Sequence, residues 1–227
     1  MTDELRRGVF DYKMGSYLST FYKSQNPSID IEQFVKRCKN AETGEDLLRI
    51  AEMYVEIQQQ AVMGPLFLYQ EHIGWALPSQ QTCQKVVDIW KQFPYSRIVD
   101  FGAGTGLFCK VFHHLGISQD KLLAVDLHQP THAKQTKQFW PIHRDDDYHV
   151  DVNDILFVAW GSGITNVIDD YVDSGGFCVM ILGEVDYGCT TPANYFENIE
   201  GWDMELIHVP GPASAYTEHL SINIKMI

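Results

Sequence analysis

The chain has 227 residues, 45% of them apolar, enough for one large domain that needs no disulfide or metal staple. Seventeen Lys and Arg against thirty Asp and Glu give a formal charge of −13, which argues against nucleic-acid and anionic-membrane partners. No apolar run approaches the roughly 20 residues that span a bilayer.

The opening Met1-Thr2-Asp3-Glu4-Leu5-Arg6-Arg7 lacks the basic and apolar regions of a secretory signal, so a cytoplasmic protein is expected. Residues 1–72 read as a helical N-terminal extension. Asp30 and Gln33 have the spacing of an N-cap box, followed by Ile31, Phe34, Val35 and Cys38 on one helical face. Thr43 opens a second helix whose apolar positions are Leu47, Ile50, Ala51, Tyr54, Val55 and Ile57, and Gly64-Pro65 should interrupt it. Cys38, Cys83, Cys109, Cys178 and Cys189 are an odd, scattered set without paired spacing, so neither a disulfide framework nor a zinc site is expected.

Residues 73–227 change pattern. Apolar runs at 97–101, 122–126, 155–160 and 177–182 alternate with helical stretches at 107–115 and 164–172. That alternation predicts a mostly parallel sheet covered by helices, an α/β fold of Rossmann type. Runs at 204–209 and 219–224, joined by Pro210-Gly211-Pro212, predict a C-terminal antiparallel hairpin. A helix is expected near Pro192.

Val99-Asp100-Phe101-Gly102-Ala103-Gly104-Thr105-Gly106 falls between a predicted strand and a predicted helix. Glycines there let a ligand approach the backbone, with the helix N–H groups behind it. The dinucleotide fingerprint G-x-G-x-x-G fails, because its sixth position is Leu107, and no Walker lysine follows. The next strand ends in Asp126, where an acid can accept both hydroxyls of a ribose.

These residues resemble the class I S-adenosylmethionine-dependent methyltransferases: the acid-x-Gly-x-Gly-x-Gly loop at 100–106, the acid-ended second strand and the terminal hairpin. The resemblance implies a seven-stranded sheet and a cofactor, S-adenosylmethionine, leaving as S-adenosylhomocysteine. It implies that the loop backbone at Phe101, Gly102, Ala103, Gly104 and Gly106 packs against the methionine and ribose, and that Asp100 engages the ammonium through water. Asp126 would hold the ribose hydroxyls, Leu127 would flank the adenine, and Asp145 or Asp146 would reach the adenine amine.

Gly74-Trp75-Ala76-Leu77-Pro78 and Gly183-Glu184-Val185-Asp186-Tyr187-Gly188-Cys189-Thr190 are similar to segments of uncharacterised methyltransferase-like proteins. Those proteins carry Trp-Pro-Pro-Tyr after the fourth strand, where this chain has Trp160-Gly161-Ser162-Gly163. Glu184 ends the fifth strand and is the first candidate for a base, Asp186 the second; either base is needed only for an acceptor that must lose a proton. Alternatively, Glu184 caps the helix near Pro192. Trp160 and Trp75 are candidates for contact with the acceptor, and each also reads as packing. The acceptor, a small molecule or a protein, is not identified by the sequence. The rival reading is a non-catalytic protein that keeps the fold to bind a partner. His128, His132 and the aspartates at 145–147 do not make a complete metal-ligand set, and no metal is expected.

Overall fold

The computed structural model describes residues 31–60, 69–70, 72–126, 137–161, 164–185, 192–210 and 218–226. Asp30, Gly64-Pro65, Leu127, Asp186, His128 and His132 lie outside them, as do the readings placed on those residues.

Helix α1 spans Ile31–Asn40 and α2 spans Gly44–Gln60. The second starts with a reciprocal cap: Asp46 N donates to Thr43 Oγ1 at 3.0 Å and Thr43 N to Asp46 Oδ2 at 2.9 Å. The same bonds, led by the Thr43 hydroxyl, hold the Asp46 carboxyl below its ordinary value. Phe34 and Cys38 of α1 and Leu47, Ile50, Ala51, Tyr54 and Ile57 of α2 are buried at helical spacing. Helix α3 (Gln80–Trp90) follows, with Ser79 as N-cap accepting from Thr82 N.

The remaining elements are β1 (Ile98–Phe101), α4 (Leu107–His114), β2 (Leu122–Asp126), β3 (Ile142–Arg144), β4 (Ile155–Ala159), α5 (Thr165–Asp173), β5 (Cys178–Glu184), β6 (Trp202–Val209) and β7 (Glu218–Lys225). They form a seven-stranded sheet in the order β3-β2-β1-β4-β5-β7-β6. Strands β1 to β5 are parallel, while β7 runs antiparallel to β5 and β6 antiparallel to β7. The expected Rossmann-like sheet with a terminal antiparallel hairpin is therefore present. Strands β1 and β5 are buried along their whole length, as parallel strands covered on both faces must be.

Alternation sorts the side chains into two cores. Ile98, Ala124, Phe157, Met180, Leu182, Leu220 and Ile222 face a cluster that also contains α1, α2, α3 and α4 residues. Val99, Phe101, Val125, Val158, Val179 and Ile181 face the other, closed by Ile168 and Tyr171 of α5 and by Phe196 and Trp202. The first cluster shows that α1 and α2 share the sheet's core. At one crossing Gly44 lies against α4, where a Cβ would stand 2.3 Å from His114 Cβ. Phe108 and Phe112 of α4 stack on Phe157 of β4 at centroid distances of 5.0 and 5.2 Å. At the amino edge of the sheet Arg97 donates Nε to Asp154 Oδ1 at 3.1 Å and Nη2 to Oδ2 at 2.5 Å, tying the start of β1 to that of β4.

Two details differ from the sequence reading. No helix follows Pro192. Residues 192–199 form successive turns, with Tyr195 N donating to Pro192 O and Ile199 N to Phe196 O, and Ala193 N tied to Glu184 O at 2.8 Å. Glu184 thus anchors this segment through its backbone and caps no helix. Strand β7 also begins one residue earlier than its apolar run, which brings Glu218 into the sheet.

Candidate functional site

The glycine loop leaves β1 at the carboxyl edge of the sheet. Gly102 N and Ala103 N both donate to Val125 O, at 2.9 and 3.0 Å, which fixes the loop to the end of β2. Gly102, Gly104 and Gly106 adopt φ of +75°, +56° and +73°. Their surroundings separate them into two kinds. Among the described residues a Cβ on Gly102 or Gly104 would meet nothing within 4 Å, whereas one on Gly106 would stand 2.6 Å from Trp140 Cβ. The first two positions leave room for a ligand against the backbone, and the third lets the start of α4 pack on Trp140. Gly106 is also the N-cap of α4, where no side-chain hydrogen bond caps the helix.

Asp126 Oδ2 accepts from Gly104 N at 2.6 Å and lies 3.7 Å from Arg144 Nη1. The backbone of Asp126 accepts from Asp145 N at 3.3 Å, so Asp145 stands beside it. Asp100 comes from the same sheet face and is 1% exposed. The Cys109 thiol donates to it at 3.9 Å. Burial, and then the neighbouring Asp126 charge, push the Asp100 carboxyl up to about 8. A carboxyl so placed ionises readily only when positive charge arrives nearby.

Other predicted contacts fall elsewhere. The Phe101 ring packs in the opposite core, leaving its backbone on the loop side. Asp146 lines a cavity of about 240 Å³ on that opposite face with Phe101, Tyr148, Val167 and Tyr171, away from Asp126. Asp145 is the better placed of the two acids. Among the described residues no group of three or more His, Cys, Asp or Glu is arranged to hold a metal ion.

The segment before α3 is tied to the loop from outside. Thr105 Oγ1 donates to Ile73 O at 3.1 Å, and the Tyr69 hydroxyl donates to Ala76 O at 2.9 Å. Trp75 sits on this segment with 47% of its surface exposed.

Trp160 follows β4 with φ of +53°, a conformation unfavourable for a bulky residue. Alternation alone would place it with Val158, but this backbone turns the ring onto the opposite core, where its Nε1–H donates to Glu218 Oε1. Glu218 is directly opposite Glu184 in the β5–β7 register, and both carboxyls are buried on one face. Burial first, and then the Glu184 charge, push Glu218 up to about 8, against the lowering effect of the Trp160 bond. Sequence reasoning passed over Glu218. Its signal was alternation: Glu218, Leu220 and Ile222 share a parity, which turns the acid inward.

No family model matches the chain, and no curated protein matches it. The solved structures it resembles include SAM-dependent methyltransferases. The N-terminal domain of EvdMO1 with SAH bound aligns at 12% identity over 66% of this chain and 82% of that one, TM-score 0.38. A SAM-dependent methyltransferase from Aquifex aeolicus aligns at 12% over 65% and 93%, TM-score 0.36. Cofactor-bound Rv0187 from MTB aligns at 11% over 80% and 89%, TM-score 0.47. With identities and scores this low, the fold of this chain stands on its own strand order and register.

Proposed function

We propose that this chain is an S-adenosylmethionine-dependent methyltransferase acting on a small-molecule or protein acceptor. The observation that carries the reading is the open backbone at Gly102 and Gly104, facing an Asp126 carboxylate already bonded to Gly104 N. Glycines free of packing demands, beside an acid at the end of the adjacent strand, suit a ligand with a ribose. Asp126 would take the ribose hydroxyls, Asp145 would stand near the adenine amine, and Asp100 would answer the ammonium of the methionine part. The buried, proton-retaining state of Asp100 supports that assignment, since a cation is what would ionise it.

When bound, the cofactor supplies an electrophilic methyl group on a sulfonium. The chain's own residues bind it, align the acceptor beyond β4 and exclude water. Glu184, at the end of β5 and 5% exposed, is placed to accept a proton from an acceptor that must lose one. The described cysteines Cys38, Cys83, Cys109 and Cys178 are buried free thiols, which supports a reducing, cytoplasmic setting. A partner-binding protein without catalysis is favoured by one feature: Gly161 packs under Ile164 as a structural turn, so the segment after β4 departs from the related pattern for packing reasons.

Isothermal titration with S-adenosylmethionine and S-adenosylhomocysteine tests the proposal, with Asp126→Ala as the comparison. Micromolar binding is expected, weakened about tenfold to a hundredfold in the variant by loss of charge-assisted hydrogen bonds of about 1.5–3 kcal/mol. Equal affinity in both proteins would overturn the assignment. Binding without turnover on any acceptor would favour the partner-binding reading.

A further inference from the structure

We infer that Glu184 and Glu218, with the Trp160 indole, form the site for a protonated nitrogen of the acceptor, an ammonium or guanidinium group. This rests on the methyltransferase reading and narrows its substrate class.

Position comes first. Both acids lie at the carboxyl edge, on the face that also carries Asp100 and Asp126. With neighbouring strands about 4.8 Å apart, Glu184 stands about 10 Å and Glu218 about 14 Å sideways from the glycine loop. The end of β4, where Trp160 sits, lies between. The pair is therefore beyond the cofactor cradle, on the acceptor side.

Chemistry comes second. Glu218 is fully buried, Oε1 takes the Trp160 N–H, and Oε2 has no hydrogen-bond partner among the described residues. A buried carboxylate oxygen without a partner is costly, and a second acid directly across the strands adds like-charge repulsion. Among the described residues, the groups acting on Glu218 are the Trp160 indole just after β4 and the Glu184 carboxyl from β5, with the Tyr69 hydroxyl close by. None of these is cationic, and the Tyr69 proton is committed to Ala76 O. A cationic N–H donor satisfies Oε2 and offsets the like-charge repulsion between the two acids, and the indole offers it an aromatic wall. The net charge of −13 draws such a group toward the protein.

The test uses benzylammonium as probe and benzyl alcohol as its neutral counterpart, titrated calorimetrically into the full-length protein with and without saturating S-adenosylhomocysteine. Benzylammonium should bind at least tenfold more tightly than benzyl alcohol. Because Glu218 retains its proton up to about 8, binding at pH 7 should release a proton, seen as a heat that changes with the ionisation enthalpy of the buffer. Glu218→Gln, which keeps an acceptor for the indole, should lose at least tenfold in benzylammonium affinity and leave S-adenosylhomocysteine affinity unchanged. Equal binding of the two probes, no proton release, or an unaffected Glu218→Gln variant would overturn the inference. Proton release is read on the unmutated protein, so a poorly folded variant does not remove the test. Absence of S-adenosylhomocysteine binding would count against the methyltransferase reading alone, since the ligand-free titration still decides whether the acid pair holds a cation.

Discussion

Gly104→Ala and Gly106→Ala should fail in different ways, although the residues stand two apart in one motif. Both hold left-handed φ, and an L-residue there costs about 1–2 kcal/mol. At Gly104 nothing else is added, because the new methyl would meet no atom of the described residues within 4 Å. For a chain of this size about 2–4 °C of Tm accompanies each kcal/mol, so Gly104→Ala should lower Tm by about 2–8 °C. At Gly106 the methyl would stand 2.6 Å from Trp140 Cβ and 3.1 Å from Trp140 N. Overpacking of that kind adds about 1–3 kcal/mol, for a total of about 2–5 kcal/mol. The Tm drop should then be roughly twice as large. Ligand affinity should rank the other way. On the proposed reading the Gly104 methyl projects toward the cofactor and should weaken S-adenosylhomocysteine binding at least tenfold. Gly106→Ala, where folded, should bind within about threefold of the parent, its methyl being turned into Trp140. Thermal unfolding and calorimetric titration of both variants read these quantities. Matching losses of stability and affinity in the two would refute the division of the loop into ligand-facing and packing glycines.

Two further predictions concern ionisation and the opposite sheet edge. Asp100 and Glu218 each rise to about 8, from ordinary values of 3.8 and 4.5, so over that window the folded chain holds protons that the unfolded chain has released. Stability from these groups is full below about pH 4 and falls as pH rises toward 8, by on the order of 1 kcal/mol per pH unit for each group. Asp100→Asn should therefore flatten the Tm–pH curve between pH 5 and 8 and exceed the parent's Tm at pH 8; parallel curves would contradict the buried-acid account. Arg97→Ala strands Asp154, whose side chain is 7% exposed, and should cost about 2–3 kcal/mol after discounting for the 40% exposure of the arginine. Its S-adenosylhomocysteine affinity should stay within about threefold, because this clamp stands at the amino edge of the sheet; a larger loss in a folded variant would contradict that separation.

The alternation of apolar runs with helical stretches was enough to anticipate the parallel sheet and its antiparallel end, because buried strands and amphipathic helices have different periods. The glycine motif and Asp126 were legible for a related reason: both depend on residue type at fixed spacing. Strand β3 was harder to see. It has three residues at the sheet edge, none of them fully buried, so no apolar run marks it. The helix expected at Pro192 is replaced by turns, and local pattern cannot register that Ala193 N is tied to Glu184 O, nine residues back. The split between Asp145 and Asp146 was likewise invisible, since successive residues leaving β3 turn to opposite sides of the sheet.

Glu218 is the most consequential residue that spacing left unmarked, and the reason is general. An acid at the start of a predicted strand reads as a solvated end, since exposed charge is the ordinary fate of Glu. Here antiparallel pairing draws it inward: register with β5 sets Glu218 opposite Glu184, and the left-handed backbone at Trp160 delivers an indole N–H to it from a third strand. No local pattern contains that encounter, because its partners are separated by 34 and 58 residues (218 − 184 and 218 − 160). The glycine loop, by contrast, needs only one strand and one turn. The proposed cofactor site therefore starts from a contiguous motif, while the groups proposed to meet an acceptor are brought together only by the sheet. The Trp160–Glu218 bond carries that argument a step further. It holds a bulky residue in a left-handed conformation, a cost of order 1–3 kcal/mol that persists only where surrounding contacts over-determine it. Packing alone has a cheaper solution, a glycine or asparagine at 160. A strained indole joined to a buried acid therefore supports the proposal that this pair belongs to a binding site rather than serving only to close the sheet edge.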